Sequence, residues 1–125
     1  MRLLIDTQIF IWAVLDSENL NVQARRIITD ATEVFVSSVS IWEIAIKAKL
    51  GKLAGDPNEF AEAISQSGFQ EIAITTHHAA KTYDLPSYHR DPFDRLLIAQ
   101  AICEPMKLLT ADKMLARYTE LVITV

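Results

Sequence analysis

The chain has 125 residues, half of them hydrophobic, so it can bury the core of a single domain over residues 1–125 and is too short for two. Its 12 basic and 16 acidic side chains give a net charge of −4, which argues against a protein that binds nucleic acid only by neutralising phosphates; phosphate chemistry would need metal ions or a local basic patch. No apolar stretch has the roughly 18 residues of a membrane span, and MRLLIDTQ lacks a signal peptide's apolar core, so we expect a cytoplasmic protein without membrane contact.

Short apolar runs alternate with longer segments of helical period along the whole chain. In chain order the pattern predicts a strand at 2–7, helices within 8–20 and 21–31, a strand at 33–38, helices at 40–52 and 57–68, a strand at 69–74, helices at 75–85 and 91–103, and strands at 107–111 and 120–125. Gly51 is the expected C-cap of the 40–52 helix. This alternation predicts an α/β fold with a mostly parallel sheet covered by helices on both faces.

Acidic side chains follow the predicted strands or open the helices after them: Asp6, Glu43, Asp91, Asp94 and Asp112. In open parallel sheets the ligand crevice lies beyond the carboxyl ends of the strands, so these acids are expected to converge there. Carboxylates crowded into a half-buried crevice repel one another unless divalent cations occupy it. Oxygen ligands, with no cysteine or paired histidine at metal-ligand spacing, favour Mg²⁺ or Mn²⁺ over zinc.

Each acid also has a structural interpretation. Ser40 and Glu43 have the spacing of a capping box, and Asp91, followed by proline, fits a helix N-cap. Asp112 could cap the short KMLARY segment. Asp6 ends a predicted buried strand. A capping role would explain Asp6 only if the next helix began directly after it, so a functional role is favoured for this residue.

The other reactive side chains favour ordinary roles. Cys103 lies in the apolar LLIAQAIC segment and is expected to be a buried thiol. His77 and His78 open a predicted helix and are expected to be exposed, whereas His89 precedes the 91–103 helix and could touch a substrate. No Ser-His-Asp or Cys-His arrangement supports a nucleophilic mechanism.

Basic and aromatic side chains outside the acidic set have two open interpretations. Lys47, Lys49 and Lys52 could guide phosphate toward the acids, but an exposed helix face is the commoner explanation. Trp12 and Trp42 could stack on bases, but their apolar neighbours favour core or subunit packing.

Four separated motifs, LLIDTQIFIW, SSVSIWEIAIKAKLGKL, HRDPFDRLLIAQA and LLTADKML, resemble in order and spacing those of the PIN-domain ribonucleases, and within them the VapC-like toxins of bacterial toxin–antitoxin pairs. The resemblance covers nearly the whole chain. It implies a PIN-like three-layer α/β/α fold with a mostly parallel central sheet of four to five strands. It carries the acidic quartet of the family over to Asp6, Glu43, Asp94 and Asp112.

The resemblance also implies accessory positions. Thr7 and Ser38 match small polar positions beside the PIN site, Thr110 matches the hydroxyl of the fourth motif, and Asp91 matches the extra acid of the DPFDR motif, where we interpret it mainly as the helix cap. Arg90 and Arg95 flank these acids and could pair with them or bind the RNA backbone.

The activity that the resemblance implies is metal-dependent endoribonuclease cleavage. One or two Mg²⁺ or Mn²⁺ ions would activate water against a phosphodiester. Asp6 and Asp94 would be the main ligands and Asp112 a further ligand. Glu43 would bind through water or orient the attacking water.

The expected partners are the RNA substrate, a cognate antitoxin covering the crevice, and a second copy of the chain in a homodimer. Two alternatives remain open at this point. One is a PIN-like module without catalysis that binds RNA or protein. The other is a phospho-acceptor receiver domain, which has similar length and an acidic Mg²⁺ site but would need an acceptor aspartate after the third strand, where FQEIAI is followed by two threonines.

Overall fold

Five parallel strands form the centre of the protein, whose computed structural model describes residues 1–125. They are β1 (Arg2–Ile5), β2 (Glu33–Ser37), β3 (Gln70–Ile72), β4 (Lys107–Thr110) and β5 (Val122–Thr124). Their order across the sheet is β3-β2-β1-β4-β5, and every neighbouring pair is parallel. The prediction of a parallel sheet is confirmed, and the sheet is parallel throughout.

Six helices connect the strands: α1 (Thr7–Val14), α2 (Val22–Asp30), α3 (Ser38–Lys49), α4 (Pro57–Gln66), α5 (Thr76–Lys81) and α6 (Pro92–Cys103). Single 3-10 turns follow α5 at Thr82–Asp84 and β4 at Lys113–Arg117. The longest helices have 12 residues, and none combines the length and hydrophobicity that a membrane span requires.

The start of α3 differs from the prediction. Strand β2 runs directly into this helix, and Ser37 is the N-cap, its hydroxyl accepting a hydrogen bond from the backbone N–H of Val39 at 3.2 Å. Ser40 therefore lies inside the first turn, and the predicted Ser40–Glu43 capping box is wrong. At the other end, Gly51 stands one residue beyond the C-cap with a φ of 73°, a left-handed conformation that glycine adopts without strain.

Two apolar layers cover the sheet, because neighbouring residues of a strand point to opposite faces. Leu3 and Ile5 of β1 belong to a buried cluster with α1, α2 and α4. Leu4, between them, belongs to a second cluster built mainly on α6, with Leu97 and Ile98 fully buried. The three-layer α/β/α arrangement is thus confirmed.

Two predictions about burial near α6 are wrong. Cys103 is exposed, because it ends α6 on the side opposite Leu97 and Ile98. His78 is only 2% exposed, because α5 packs against α6 and its imidazole Nε2 lies 2.6 Å from Glu104 Oε2. His77 is exposed as expected.

The two tryptophans have different surroundings. Trp12 packs half-buried against the first apolar cluster, as expected. Trp42 is 59% exposed on α3, with its ring against that of Phe93 at a centroid distance of 5.3 Å. A packing role for Trp42 within the core is therefore excluded.

The order in which strands are added to the sheet reverses between β1 and β4. From β1 the chain adds β2 and β3 on one side, then crosses back to add β4 and β5 on the other side. At such a switch point the connections diverge and leave a crevice beyond the strand ends. Receiver domains place β1 between β2 and β3, so the strand order excludes that alternative.

Phe10 is the centre of the layer that carries α1, and it yields a stability prediction. It is fully buried, with edge contacts to Phe60 and Phe69 at centroid distances of 6.2 and 6.5 Å. We expect Phe10→Ala to lower the free energy of unfolding by about 3–5 kcal/mol and Phe10→Leu by about 1–2 kcal/mol, because alanine leaves the larger cavity. Urea unfolding measures both. As a control, Tyr83→Ala, at a 92% exposed site, should change the free energy of unfolding by under about 0.5 kcal/mol. Equal losses of stability in the two Phe10 variants would contradict the packing described.

Candidate metal centre

A crevice of about 320 Å³ opens beyond the carboxyl ends of β1 and β4, at the switch point of the sheet. The side chains around it are mostly polar: Asp6, Thr7, Gln8, Ile11, Glu43, Lys47, Asp91, Asp94, Ala111 and Asp112. The structure therefore brings the four acids of the predicted quartet, together with Asp91, to one cavity. Gln8, Ile11 and Ala111 were not singled out from the sequence, since nothing in their residue types marks a site.

Asp6 ends β1 and starts α1. Its Oδ1 caps α1 by accepting from the backbone N–H of Ile9 at 2.8 Å, and its Oδ2 accepts from the Thr110 hydroxyl at 2.6 Å. The side chain is nearly completely buried. The pKa of Asp6 is raised to about 6, chiefly by burial and also by the neighbouring charges of Glu43 and Asp112, against the two hydrogen bonds that lower it.

Two hydroxyl groups tie the elements around Asp6 together. Thr110, at the end of β4, donates to Asp6 and also accepts from the backbone N–H of Asp112 at 3.0 Å. Thr7 donates to the Ser40 hydroxyl at 2.9 Å, which joins α1 to α3. The sequence indicated only a capping role for Ser40. The contact with Thr7 joins residues that are distant in the chain, so local spacing does not predict it.

Glu43 points from α3 into the same crevice with only 7% of its side chain exposed. Its Oε2 lies 2.7 Å from Lys47 Nζ, one helical turn further on. Its Oε1 is buried without a hydrogen-bond partner. The hydrogen bond with Glu43 raises the pKa of Lys47, so Lys47 is a cation of this cluster rather than only part of an exposed helix face.

Asp91 and Asp94 open α6. Asp91 is the predicted N-cap, its Oδ1 accepting from the backbone N–H groups of Phe93 and Asp94 at 2.8 and 3.3 Å. The pKa of Asp94 is raised to about 7, chiefly by burial and also by the negative charges of Asp91, Asp6 and Glu43. Asp94 lies in the first turn of α6, where the helix dipole favours the ionised carboxylate, but burial and these charges outweigh the dipole.

Asp112 follows β4 and caps the 3-10 turn after it, as one of its interpretations predicted, with Oδ1 accepting from the backbone N–H of Met114 at 2.9 Å. Its Oδ2 lies 3.0 Å from Nε2 of His89, and the same nitrogen is 3.5 Å from Asp94 Oδ2. One possible donor atom from each of these three residues falls within 4.8 Å of the others.

Four of the predicted accessory residues do not line the crevice, and of these Thr110 is joined to it through its hydrogen bond to Asp6. Arg95 donates to backbone carbonyls, among them those of Pro86 at 2.8 Å and Thr82 at 3.1 Å. It pairs with no acid, so one of its two interpretations, an ion pair with the flanking acids, is wrong for Arg95. Arg90 is exposed and has no acidic partner within 4.0 Å. Ser38 accepts from the backbone N–H of Ile74 at 3.2 Å and so holds the end of the β3 segment.

The donor set fits a hard divalent cation. It consists of carboxylate oxygens converging from β1, α3, α6 and the turn after β4, and one of them, Glu43 Oε1, is buried without any partner. Burial is the largest cause of the raised pKa values of Asp6 and Asp94 and the neighbouring carboxylates add to it, so a bound cation would stabilise the ionised forms of both side chains. Oxygen ligands of this kind suit Mg²⁺ or Mn²⁺.

Comparison with known proteins gives consistent matches. Residues 3–121 match the PIN domain family. Ribonuclease VapC22 of Mycobacterium tuberculosis is 30% identical over 115 residues, which span 90% of this chain and 88% of that protein. Among solved structures, VapBC2 from Rickettsia felis bound to a DNA fragment from its promoter has a TM-score of 0.70 at 16% identity, covering 100% of this chain and 98% of that one. A toxin–antitoxin complex from Klebsiella pneumoniae has a TM-score of 0.67 at 18% identity, covering 97% and 95%.

The raised pKa values predict an unusual dependence of stability on pH. The folded chain keeps protons on Asp6 and Asp94 that the unfolded chain releases, so stability is fully present below the ordinary aspartate pKa and is lost as pH rises through about 6 and 7. In the presence of a chelator, we expect the free energy of unfolding to fall between pH 5 and pH 8 by on the order of 1–3 kcal/mol per group.

Matched variants test whether the buried acids cause this dependence of stability on pH. Asp94→Asn should flatten the fall between pH 5 and pH 8, whereas Asp30→Asn, at an exposed position outside the crevice, should leave it unchanged. Urea unfolding at several pH values measures the slope. A metal-free protein that grows more stable between pH 5 and pH 8, or an Asp94→Asn variant with the parent slope, would contradict the assignment.

Proposed function

The chain belongs to the PIN-domain family, and from that premise we propose that it is a Mg²⁺- or Mn²⁺-dependent endoribonuclease acting as the toxin of a toxin–antitoxin pair. The observation that carries the proposal is the convergence of Asp6, Glu43, Asp94 and Asp112 on one crevice, with a buried Glu43 oxygen that has no partner. The similarity to Ribonuclease VapC22 supports RNA as the substrate.

Each acid has a part suited to its surroundings. Asp6, Asp94 and Asp112 offer carboxylate oxygens from three elements and would hold the ion. A divalent ion held by these side chains would lower the pKa of a bound water and would offset negative charge on the leaving oxygen of a phosphodiester. Glu43 has Oε1 free to accept a hydrogen bond from water, which would orient that water toward the phosphate.

Two neighbouring groups support these acids. The Thr110 hydroxyl fixes Asp6 Oδ2 and favours its ionised form, in which it can bind a cation. Lys47 places an ammonium group beside Glu43 at the wall of the crevice. On a chain of net charge −4, this local cation is also suited to contact an RNA phosphate. Arg90, which is exposed beside the start of α6, would contact the RNA backbone further out.

The proposed partners are RNA, a cognate antitoxin and a second copy of the chain, in the cytoplasm. The structural neighbours are toxin–antitoxin assemblies, which supports the antitoxin. An apolar strip on α3, formed by Trp42, Ile46 and Leu50, is exposed or half-buried beside the crevice and offers a surface for either protein partner.

Cleavage of RNA tests the activity. The purified chain, incubated with a mixed pool of cellular RNA and Mn²⁺ or Mg²⁺, should produce defined cuts that a chelator abolishes. We expect Asp6→Asn and Asp94→Asn each to lower the cleavage rate by about 100-fold or more, because loss of a ligand should exceed the 10- to 100-fold effect of losing an outer-shell partner. Asp30→Asn should cleave like the parent.

The outcomes separate two functions. Cuts that survive both substitutions or the chelator would contradict the metal mechanism. Absence of cutting by a chain that nevertheless binds Mn²⁺ and RNA would indicate a PIN-like binding module without catalysis. Sequencing the cut ends would identify the substrate.

Lys47 gives a prediction about cation binding. Because its ammonium group neutralises Glu43 in the metal-free chain, it competes with a divalent ion for the same negative charge. Lys47→Met is expected to bind Mn²⁺ several-fold to about tenfold more tightly by calorimetry, a difference of up to about 1.4 kcal/mol, while the metal-free variant is less stable. Lys49→Met, on the same helix but outside the crevice, is the control. Unchanged binding by Lys47→Met would contradict the competition, and weaker binding would show that Lys47 supports the ion instead.

A further inference from the structure

His89 lies between two acids of the crevice, and its hydrogen bonds fix where its proton sits. The backbone N–H of Asp91 donates to Nδ1 of His89 at 3.0 Å. A ring nitrogen that accepts a hydrogen bond carries no proton, so the neutral imidazole carries its proton on Nε2. That nitrogen lies 3.0 Å from Asp112 Oδ2, and it therefore donates to this carboxylate.

This arrangement is unlike that of a metal-binding histidine. A histidine that binds metal through one nitrogen normally donates the other N–H to a carboxylate, carbonyl or water. Here the other nitrogen faces a donor, the N–H of Asp91, so Nε2 cannot be freed of its proton without losing a hydrogen bond. His89, Asp94 and Asp112 could place three donor atoms around a cation, but the ring is set up as a donor.

We propose that His89 is a positioning residue of the metal centre and not one of its ligands. It holds Asp112 through Nε2–H, and so keeps the acid that follows β4 in register with Asp94 at the start of α6. The expected effect of His89 on metal binding and cleavage rests on the proposed nuclease function. The contact between His89 and Asp112 rests on the hydrogen bonds alone.

The backbone of His89 is itself held in place. Its N–H donates to the Tyr118 hydroxyl at 2.7 Å, and Arg95 reaches its carbonyl at 3.4 Å. Arg95 also donates to the Tyr118 hydroxyl at 3.3 Å. These contacts give Arg95 and Tyr118 a clear role, which is to fix the segment that presents His89.

Asp112 is the acid that most needs such support. Asp6 is buried and makes hydrogen bonds through both oxygens within the core. Asp112 lies on a turn with 39% of its side chain exposed, and apart from its capping bond the side chain is held only by His89. Without the imidazole, its Oδ2 would be free to turn toward solvent.

Nitrogen NMR of the histidine rings tests the geometry directly. In the metal-free chain, and again with saturating Mg²⁺, His89 should be in the Nε2–H tautomer. A ligand would lose the Nε2 proton when Mg²⁺ is added. An Nδ1–H tautomer in either state would overturn the proposal, and because the metal-free spectrum needs no activity, this result is independent of the proposed function.

Paired substitutions test the consequence. The amide nitrogen of glutamine can stand near Nε2 and donate to Asp112, whereas alanine cannot. His89→Ala should weaken Mn²⁺ binding by about 10- to 100-fold and lower cleavage at saturating Mn²⁺, whereas His89→Gln should stay within a few-fold of the parent for both. Circular dichroism melting of both variants identifies any loss of folding.

Each result has one meaning. Equal losses in His89→Gln and His89→Ala, with both folded, would indicate a direct ligand and overturn the positioning role. Parent-like Mn²⁺ binding by folded His89→Ala would also overturn it. If the parent chain itself bound no Mn²⁺, the proposed function would fail, and the tautomer in the metal-free spectrum would still decide whether His89 holds Asp112.

Discussion

Negative charge confined to a half-buried crevice is the constraint on which the rest of the structure depends. Strand order alone brings the ends of β1 and β4 together, and with them Asp6 and Asp112. Glu43 and Asp94 then enter from α3 and α6. Burial, and after it the neighbouring negative charges, raises the pKa values of Asp6 and Asp94, whereas the Thr110 hydroxyl lowers that of Asp6 and Lys47 pairs with Glu43. Negative charge that is buried at a cost in stability is best explained by what it binds.

Structural and functional interpretations of the acids turn out to be compatible. Asp6, Asp91 and Asp112 each start a helix or turn by accepting backbone hydrogen bonds. For Asp6 and Asp112 one carboxylate oxygen serves as the cap and the other bonds to a neighbouring side chain, Thr110 or His89. Capping fixes the rotamer of each acid, which is the preorganisation that a cation site requires. The same hydrogen bonds thus build the fold and aim the carboxylates.

Local sequence patterns predicted the helices and strands well, whereas they could not predict contacts between residues distant in the chain. All five strands and six helices fall within or close to the predicted segments, because hydrophobic period and capping residues act over a few residues. The switch between β1 and β4 depends on strand pairing across the whole chain. The burial of His78 beside Glu104, 26 positions away, and the contact of Arg95 with the carbonyl of Thr82, 13 positions away, likewise depend on the tertiary fold. For His89, the sequence indicated closeness to the site and could not indicate which ring nitrogen carries the proton.

Anomalous diffraction from crystals grown with Mn²⁺ tests most directly whether the crevice is a metal centre. The account predicts one or two anomalous peaks inside the crevice, bound by carboxylate oxygens of Asp6, Asp94 and Asp112, with the free oxygen of Glu43 facing an ion or its water. A crevice without a peak at saturating Mn²⁺, or ions bound only elsewhere on the surface, would contradict it.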